Sequence, residues 1–212
     1  MNRSSRNAPS LGLTLILVGV AVVVVIAAVA FLFAGGSTPT SAAVVENRAV
    51  TVTGTALVPL PDDDQGVDPA VGTTAPRLAG ESFAGEPVLV DPGKPTLLIG
   101  LAHWCPHCRA EVPRLVEWWR QGGVPTGVDV IGISTAVVEQ RPNYPPSAWL
   151  ENEQFPWPVI ADSIEGDAAT AIGLTSFPYF VMLAGDGTVL WRASGELEMQ
   201  DLELMISHSL EP

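Results

Sequence analysis

Both cysteines of this 212-residue chain stand two residues apart in one stretch, His103-Trp104-Cys105-Pro106-His107-Cys108-Arg109. Any sulfur chemistry is confined to that stretch, and its flanks dictate the local fold. Before it, Thr96-Leu97-Leu98-Ile99-Gly100-Leu101-Ala102 is short, apolar and preceded by the breakers Pro92, Gly93 and Pro95, the pattern of a buried strand. After it, Val112, Leu115, Val116 and Trp119 recur at i, i+3, i+4 and i+7, the apolar stripe of an amphipathic helix, and Pro106 suits a first turn that needs no backbone donor. Cys105 is thereby placed at a helix N-terminus. Unpaired N–H groups and the positive end of the helix dipole there favour a thiolate over a thiol, and cysteines so placed react readily.

Cys108 follows one helical turn later, close enough to Cys105 to form a disulfide without distortion. The loop so closed is too small to remove much entropy from the unfolded chain, so a bond that is made and broken explains the spacing better than a structural staple. A zinc knuckle needs four ligands, and with no second cysteine pair only His103, His107 and His208 remain to supply them. Covalent haem attachment needs histidine directly after the second cysteine, where this chain has Arg109. The strand–cysteine–helix context favours redox chemistry over all three.

Trp104-Cys105-Pro106-His107-Cys108-Arg109-Ala110-Glu111-Val112-Pro113 resembles the W-C-x-x-C-x-x-E-x-P signature of membrane-anchored, extracytoplasmic thioredoxin-like proteins of the TlpA/ResA type. The likeness runs over residues 72–209. It implies an α/β thioredoxin-like fold, a central mixed sheet flanked by helices with a helical insertion, and it implies Cys105 as attacking thiolate with Cys108 as buried resolving cysteine. The activity implied is protein thiol–disulfide exchange through a redox-active Cys105–Cys108 disulfide, with no cofactor and no metal.

Residues 1–10 carry Arg3 and Arg6 and no acid, and residues 11–34 are an uncharged, mostly aliphatic run. About 20 apolar residues span a bilayer, whereas a cleaved signal has a core of about 7–15, so the run reads as an uncleaved transmembrane helix with a cytoplasmic N-terminus. Residues 35–71 then form an extracytoplasmic linker with possible accessory strands, and residues 72–212 the thioredoxin-like domain. Beyond the two N-terminal arginines, eight basic residues face twenty-three acidic ones, a formal −15 that repels nucleic acid. Expected partners are cysteine-containing exported proteins, a membrane redox protein that recycles the pair, and the membrane itself. Asp62-Asp63-Asp64 with Asp68 lacks the oxygen spacing of a calcium loop and reads as a solvated turn.

Val50-Thr51-Val52-Thr53 alternates and Ala56-Leu57-Val58 resumes after Gly54, as in an accessory strand or hairpin. Gly72-Thr73-Thr74-Ala75-Pro76-Arg77-Leu78 is similar to the G-x-x-A-P opening of TlpA-type proteins and peroxiredoxins, although the single peroxidatic cysteine motif of the latter is missing. Pro87-Val88-Leu89-Val90 adds a short strand. Gly122-Gly123 stops the cysteine helix, residues 128–134 form a strand parallel to the first, and residues 135–158 form an insertion with a helix over 148–154. A short strand near 155–160, a helix over 166–172, a turn at Gly185-Asp186-Gly187, a strand over 188–193 and a terminal helix over 198–209 complete the order.

In the TlpA/ResA likeness, Pro178 matches a cis-proline facing the cysteines, Phe177 before it pairs with substrate backbone, and Trp104 is a substrate-facing aromatic. Pro106 and His107 tune the redox couple. They resemble the dipeptide of strongly oxidising periplasmic Dsb-type oxidases, while the surrounding signature resembles reductases, and the two classes lie about 150 mV apart. His103, His107 and Arg109 are each expected to favour the thiolate. Ile99 stands where thioredoxins keep a buried aspartate, and Glu111 is the residue that TlpA/ResA-type proteins carry near the active site, a candidate proton acceptor for Cys108 once burial raises its pKa. A copper-binding chaperone of the same fold, using two cysteines and a histidine for Cu(I), is the alternative function.

Overall fold

The computed structural model describes residues 44–61 and 66–210. The apolar run 11–34 and the Asp62-Asp63-Asp64 turn lie outside these residues. Among the described residues no helix is long and apolar enough to cross a membrane.

The centre is β4 (Thr96–Leu101), every residue of which is buried. It pairs in parallel with β5 (Asp129–Ser134) and antiparallel with β7 (Tyr179–Leu183). β6 (Val159–Ala161) and β8 (Val189–Ser194) close a five-stranded mixed sheet of order β6-β5-β4-β7-β8. Strand side chains alternate between faces, and β4 uses both. Leu97, Ile99 and Leu101 point into a core with α1 (Pro106–Arg120) and α4 (Met199–Ser209), whereas Leu98 packs on the side of α3 (Asp167–Ala171), with Ile131 and Ile133. This is the thioredoxin-like α/β arrangement expected. The insertion helix α2 (Pro146–Asn152) begins two residues earlier than the sequence suggests.

A second, antiparallel sheet joins β1 (Thr51–Thr53), β2 (Arg77–Glu81) and β3 (Pro87–Val90) in that order. β2 carries no sequence signal because Arg-Leu-Ala-Gly-Glu is short and contains one large apolar side chain. β1 pairs with it rather than with residues 56–58, which do not form a strand; there the backbone N–H of Leu57 donates to Ala171 instead. Glu46 reaches across to α2, its carboxylate accepting from the backbone N–H (3.0 Å) and hydroxyl (2.6 Å) of Ser147.

The buried stripe of α1 is rotated from the one the apolar residues alone define. Cys108, Glu111, Val112, Leu115, Val116 and Trp118 are buried, while Trp119 is 44% exposed. Because the carboxyl group of Glu111 faces inward, Trp118, seven residues on, shares its face and Trp119 turns out. Gly122 ends the helix in a left-handed conformation (φ +78°), and a Cβ at Gly123 beside it would force the Trp118 indole to move.

Candidate active site

The polypeptide leaves the C-terminal end of β4, turns at residues 102–104 and enters α1 with Cys105 as N-cap (φ −70°, ψ 124°) and Pro106 in the first turn. No side chain caps this end, so its first amides face the Cys105 region unclaimed by a capping oxygen. The two cysteines are not joined by a disulfide. Cys105 is 6% exposed and Cys108 fully buried beneath it. Burial pushes the Cys108 thiol far up from its ordinary range, and the charges of Cys105 and Glu111 add to the rise.

Opposite Cys105 stands the start of β7. Phe177–Pro178 is cis, as the sequence resemblance implied, and the Cys105 thiol lies 3.8 Å from the Phe177 carbonyl oxygen. A second cis bond, Tyr144–Pro145, carried no sequence signal of its own. Trp104 is half-buried next to Cys105, its ring edge-on to Phe177 at 6.0 Å, its indole N–H donating to Ala136 (2.8 Å) and the Arg141 guanidinium lying 5.2 Å over its face.

His103 departs from expectation. The side chain is wholly buried, with Nδ1 2.7 Å from the Pro142 carbonyl and Nε2 accepting from the Val138 N–H at 3.1 Å. An imidazole that donates at Nδ1 and accepts at Nε2 is neutral, and burial holds its pKa below the ordinary value against the Pro142 carbonyl and Glu46. It therefore pins the 136–143 segment and adds no positive charge to the thiolate. Pro106 and His107 are exposed on the rim, and the imidazole Nδ1 of His107 sits 2.7 Å from Glu196. Arg109 is exposed.

Glu111 has no solvent exposure. Its Oε1 accepts the Leu197 N–H at 3.2 Å; Oε2 has Arg114 at 3.4 Å but makes no hydrogen bond. Burial raises its pKa to about 7, against the Leu197 amide and Arg114 and with the help of Glu196 and Glu198. The contact of residues 196–198 with the site carries no sequence signal, because Glu196 is 89 residues from His107 and has no motif of its own. Asp68 is likewise no solvated turn residue: it pairs with Arg192, whose side chain is fully buried. Among the described residues no group of three His, Cys, Asp or Glu is placed to hold a metal ion.

Known proteins are similar to this chain in sequence and fold. The thiol:disulfide interchange protein DsbE of Pasteurella multocida is 27% identical over 108 residues, covering 51% of this chain and 55% of its own, so the match spans little more than half of that relative. DsbE of Escherichia coli K12 is 28% identical over 143 residues, 64% of this chain and 72% of its own. The crystal structure of a thiol:disulfide interchange protein of the thioredoxin family from Chlorobium tepidum superimposes with a TM-score of 0.54 at 25% identity, covering 66% of this chain and 97% of that one. With a matching family model over residues 68–192, more than half its length, the chain belongs to the AhpC/TSA family.

Proposed function

We propose that this thiol–disulfide oxidoreductase exchanges its Cys105–Cys108 pair with the cysteines of exported proteins, in the manner of the TlpA/ResA type. The carrying observation is the asymmetry of the pair: Cys105 lies at the N-terminus of α1 facing Phe177, and Cys108 is sealed beneath it. In the reductive direction the Cys105 thiolate attacks one sulfur of a client disulfide. A mixed disulfide forms, and the other client sulfur leaves as a thiolate. Cys108 then gives its proton to Glu111 and attacks the Cys105 sulfur, closing the protein disulfide and releasing the second client thiolate. Two electrons pass from the dithiol to the client. The Phe177 carbonyl faces the Cys105 sulfur and Trp104 packs edge-on to the Phe177 ring, and these two with Pro178 are the residues against which a client strand would lie.

Cys108→Ser removes the resolving thiol while keeping Cys105. In the full chain, this variant is expected to accumulate a covalent adduct with a disulfide-containing client, absent when Cys105 is also replaced. Failure to trap any adduct through Cys105 would overturn the assignment.

The direction we favour is reductive. Of the groups that by sequence would stabilise the thiolate, His103 is neutral and turned into the 136–143 segment, and His107 faces the Glu196 carboxylate. Less stabilisation of the thiolate means a lower potential. The expected reduction potential is below about −230 mV, and a value above about −180 mV would make the protein a disulfide donor instead. The DsbE relatives carry an interchange name that leaves the direction open. Copper binding is the weaker reading: His103 commits both ring nitrogens, His107 turns Nδ1 to Glu196, and among the described residues no three His, Cys, Asp or Glu are grouped to hold a metal ion.

The location we propose is a single-pass anchor at residues 11–34, with residues 1–10 cytoplasmic and the catalytic domain outside. Its support is the length and flanking charge of that run. A membrane redox partner would recharge the pair after each turnover.

A further inference from the structure

Arg114, six residues beyond Cys108 on α1, is held by the segment that follows β8. Its Nη2 donates to the Leu197 carbonyl and lies 3.3 Å from Glu198, and its Nη1 is 3.4 Å from Glu196. The same Nη1 is 3.4 Å from Oε2 of Glu111, the carboxylate oxygen that makes no hydrogen bond. Facing Glu111 are Cys108 and Arg114 from its own helix and Glu196 and Glu198 from the segment after β8, so Arg114 is the cation among acids and a thiol. A buried carboxylate with one amide donor is a poor place for a negative charge unless a cation stands by it. We propose that Arg114 is a positioning residue of the exchange reaction, its guanidinium keeping Glu111 ionised and able to accept the Cys108 proton, with residues 196–198 keeping Arg114 in place. The inference rests on the reading of Glu111 as that acceptor.

The balanced step is a transfer from Cys108 S–H to the Glu111 carboxylate. It leaves a Cys108 thiolate that displaces an aryl or client thiolate from the Cys105 mixed disulfide. Without the guanidinium, Glu111 retains its proton at neutral pH and has no capacity to take another.

The test mixes the reduced full chain in detergent with the aromatic disulfide dithiobis(nitrobenzoate) and follows release of the two aryl thiolates by stopped-flow absorbance. The first is released in a second-order step by Cys105, the second in a first-order step by Cys108. In Arg114→Gln the second phase is expected to be about fivefold slower at pH 7 and to regain the wild-type rate above about pH 9, while Arg114→Lys, which keeps a charge, stays near wild type. An unchanged profile in Arg114→Gln, a loss equal at every pH, or a lysine variant as slow as the glutamine one would overturn the proposal. Glu111→Gln separates the two layers. If its second phase is unaltered, the acceptor reading itself fails; if it is slow while Arg114→Gln behaves as wild type, only the role of Arg114 falls.

Discussion

Glu111 is a residue whose chemistry and whose contribution to stability oppose each other. A carboxyl group pushed up to about 7 by burial prefers its protonated form in the folded chain. The sign follows from linkage: with the folded pKa above the ordinary carboxylate value, the stabilisation is complete below about pH 4.3 and is lost as pH rises through about 7. The ionised form that accepts a proton from Cys108 is thus the form the fold tolerates least. Glu111→Gln is expected to slow resolution of the mixed disulfide by at least tenfold at pH 7. In denaturant titrations at pH 8 it should make the protein more stable by a few kcal/mol, because a neutral amide replaces a buried charge. A variant that loses stability at pH 8 would mean that the carboxylate is well solvated, and the acceptor role would lose its basis.

At the scale of elements, α1 and the two segments beside it divide the site between what was legible and what was not. The cysteines, the helix and the buried β4 are contiguous, so apolar period, breakers and cysteine spacing placed them together. The apolar period of α1 runs to Trp119 and both tryptophans read as packing residues, but Trp118, seven residues from the buried Glu111, turns in while Trp119 is exposed. His103 adjoins the motif, yet its partners Val138 and Pro142 lie 35 and 39 residues on, in an insertion with no periodic pattern. Those hydrogen bonds make the 136–143 segment acid-sensitive. Since burial holds the folded pKa of His103 below the ordinary value, the stability it supports is present above about pH 6.5 and is lost as pH falls through the folded pKa. Replacing it with Ala leaves a carbonyl and an amide unpartnered, at a cost of about 2 kcal/mol at pH 7.5. The variant should also show a shallower decline in stability between about pH 6.5 and 5 than wild type; an equally steep decline would place the acid-sensitive group elsewhere.

Over the whole molecule, residues that sequence reading treated as a lead-in are joined to the catalytic sheet by one buried cation. Arg192 of β8, fully buried, donates to Asp68 (2.8 Å from Nε), to the Val58 carbonyl (2.7 Å) and to the Tyr179 hydroxyl (3.2 Å). Tyr179 in turn donates to Ile172 and Gly173 and directly follows Pro178. No sequence pattern links Asp68 to Arg192 across 124 residues, and an aspartate near an acidic run reads as solvated until the fold brings the guanidinium to it. The Arg192 hydrogen bond holds the Asp68 carboxyl below its ordinary value, so this pair stabilises the fold above about pH 4 and ceases to do so as pH falls through the lowered pKa. Arg192→Leu leaves the half-buried Asp68 carboxylate and two buried acceptors without their donor and is expected to cost about 2–3 kcal/mol at pH 7, whereas Arg192→Leu with Asp68→Leu recovers part of that loss by removing the unpaired charge. Because the pair lies behind β7 rather than beside the sulfurs, thiol exchange by the fraction still folded should keep its wild-type rate. Urea titrations at pH 7 and pH 3 with parallel exchange rates decide the matter: a single variant as stable as wild type would show that the lead-in is held by other contacts, and a double variant with slowed exchange would show that the buried pair also shapes the sulfur site.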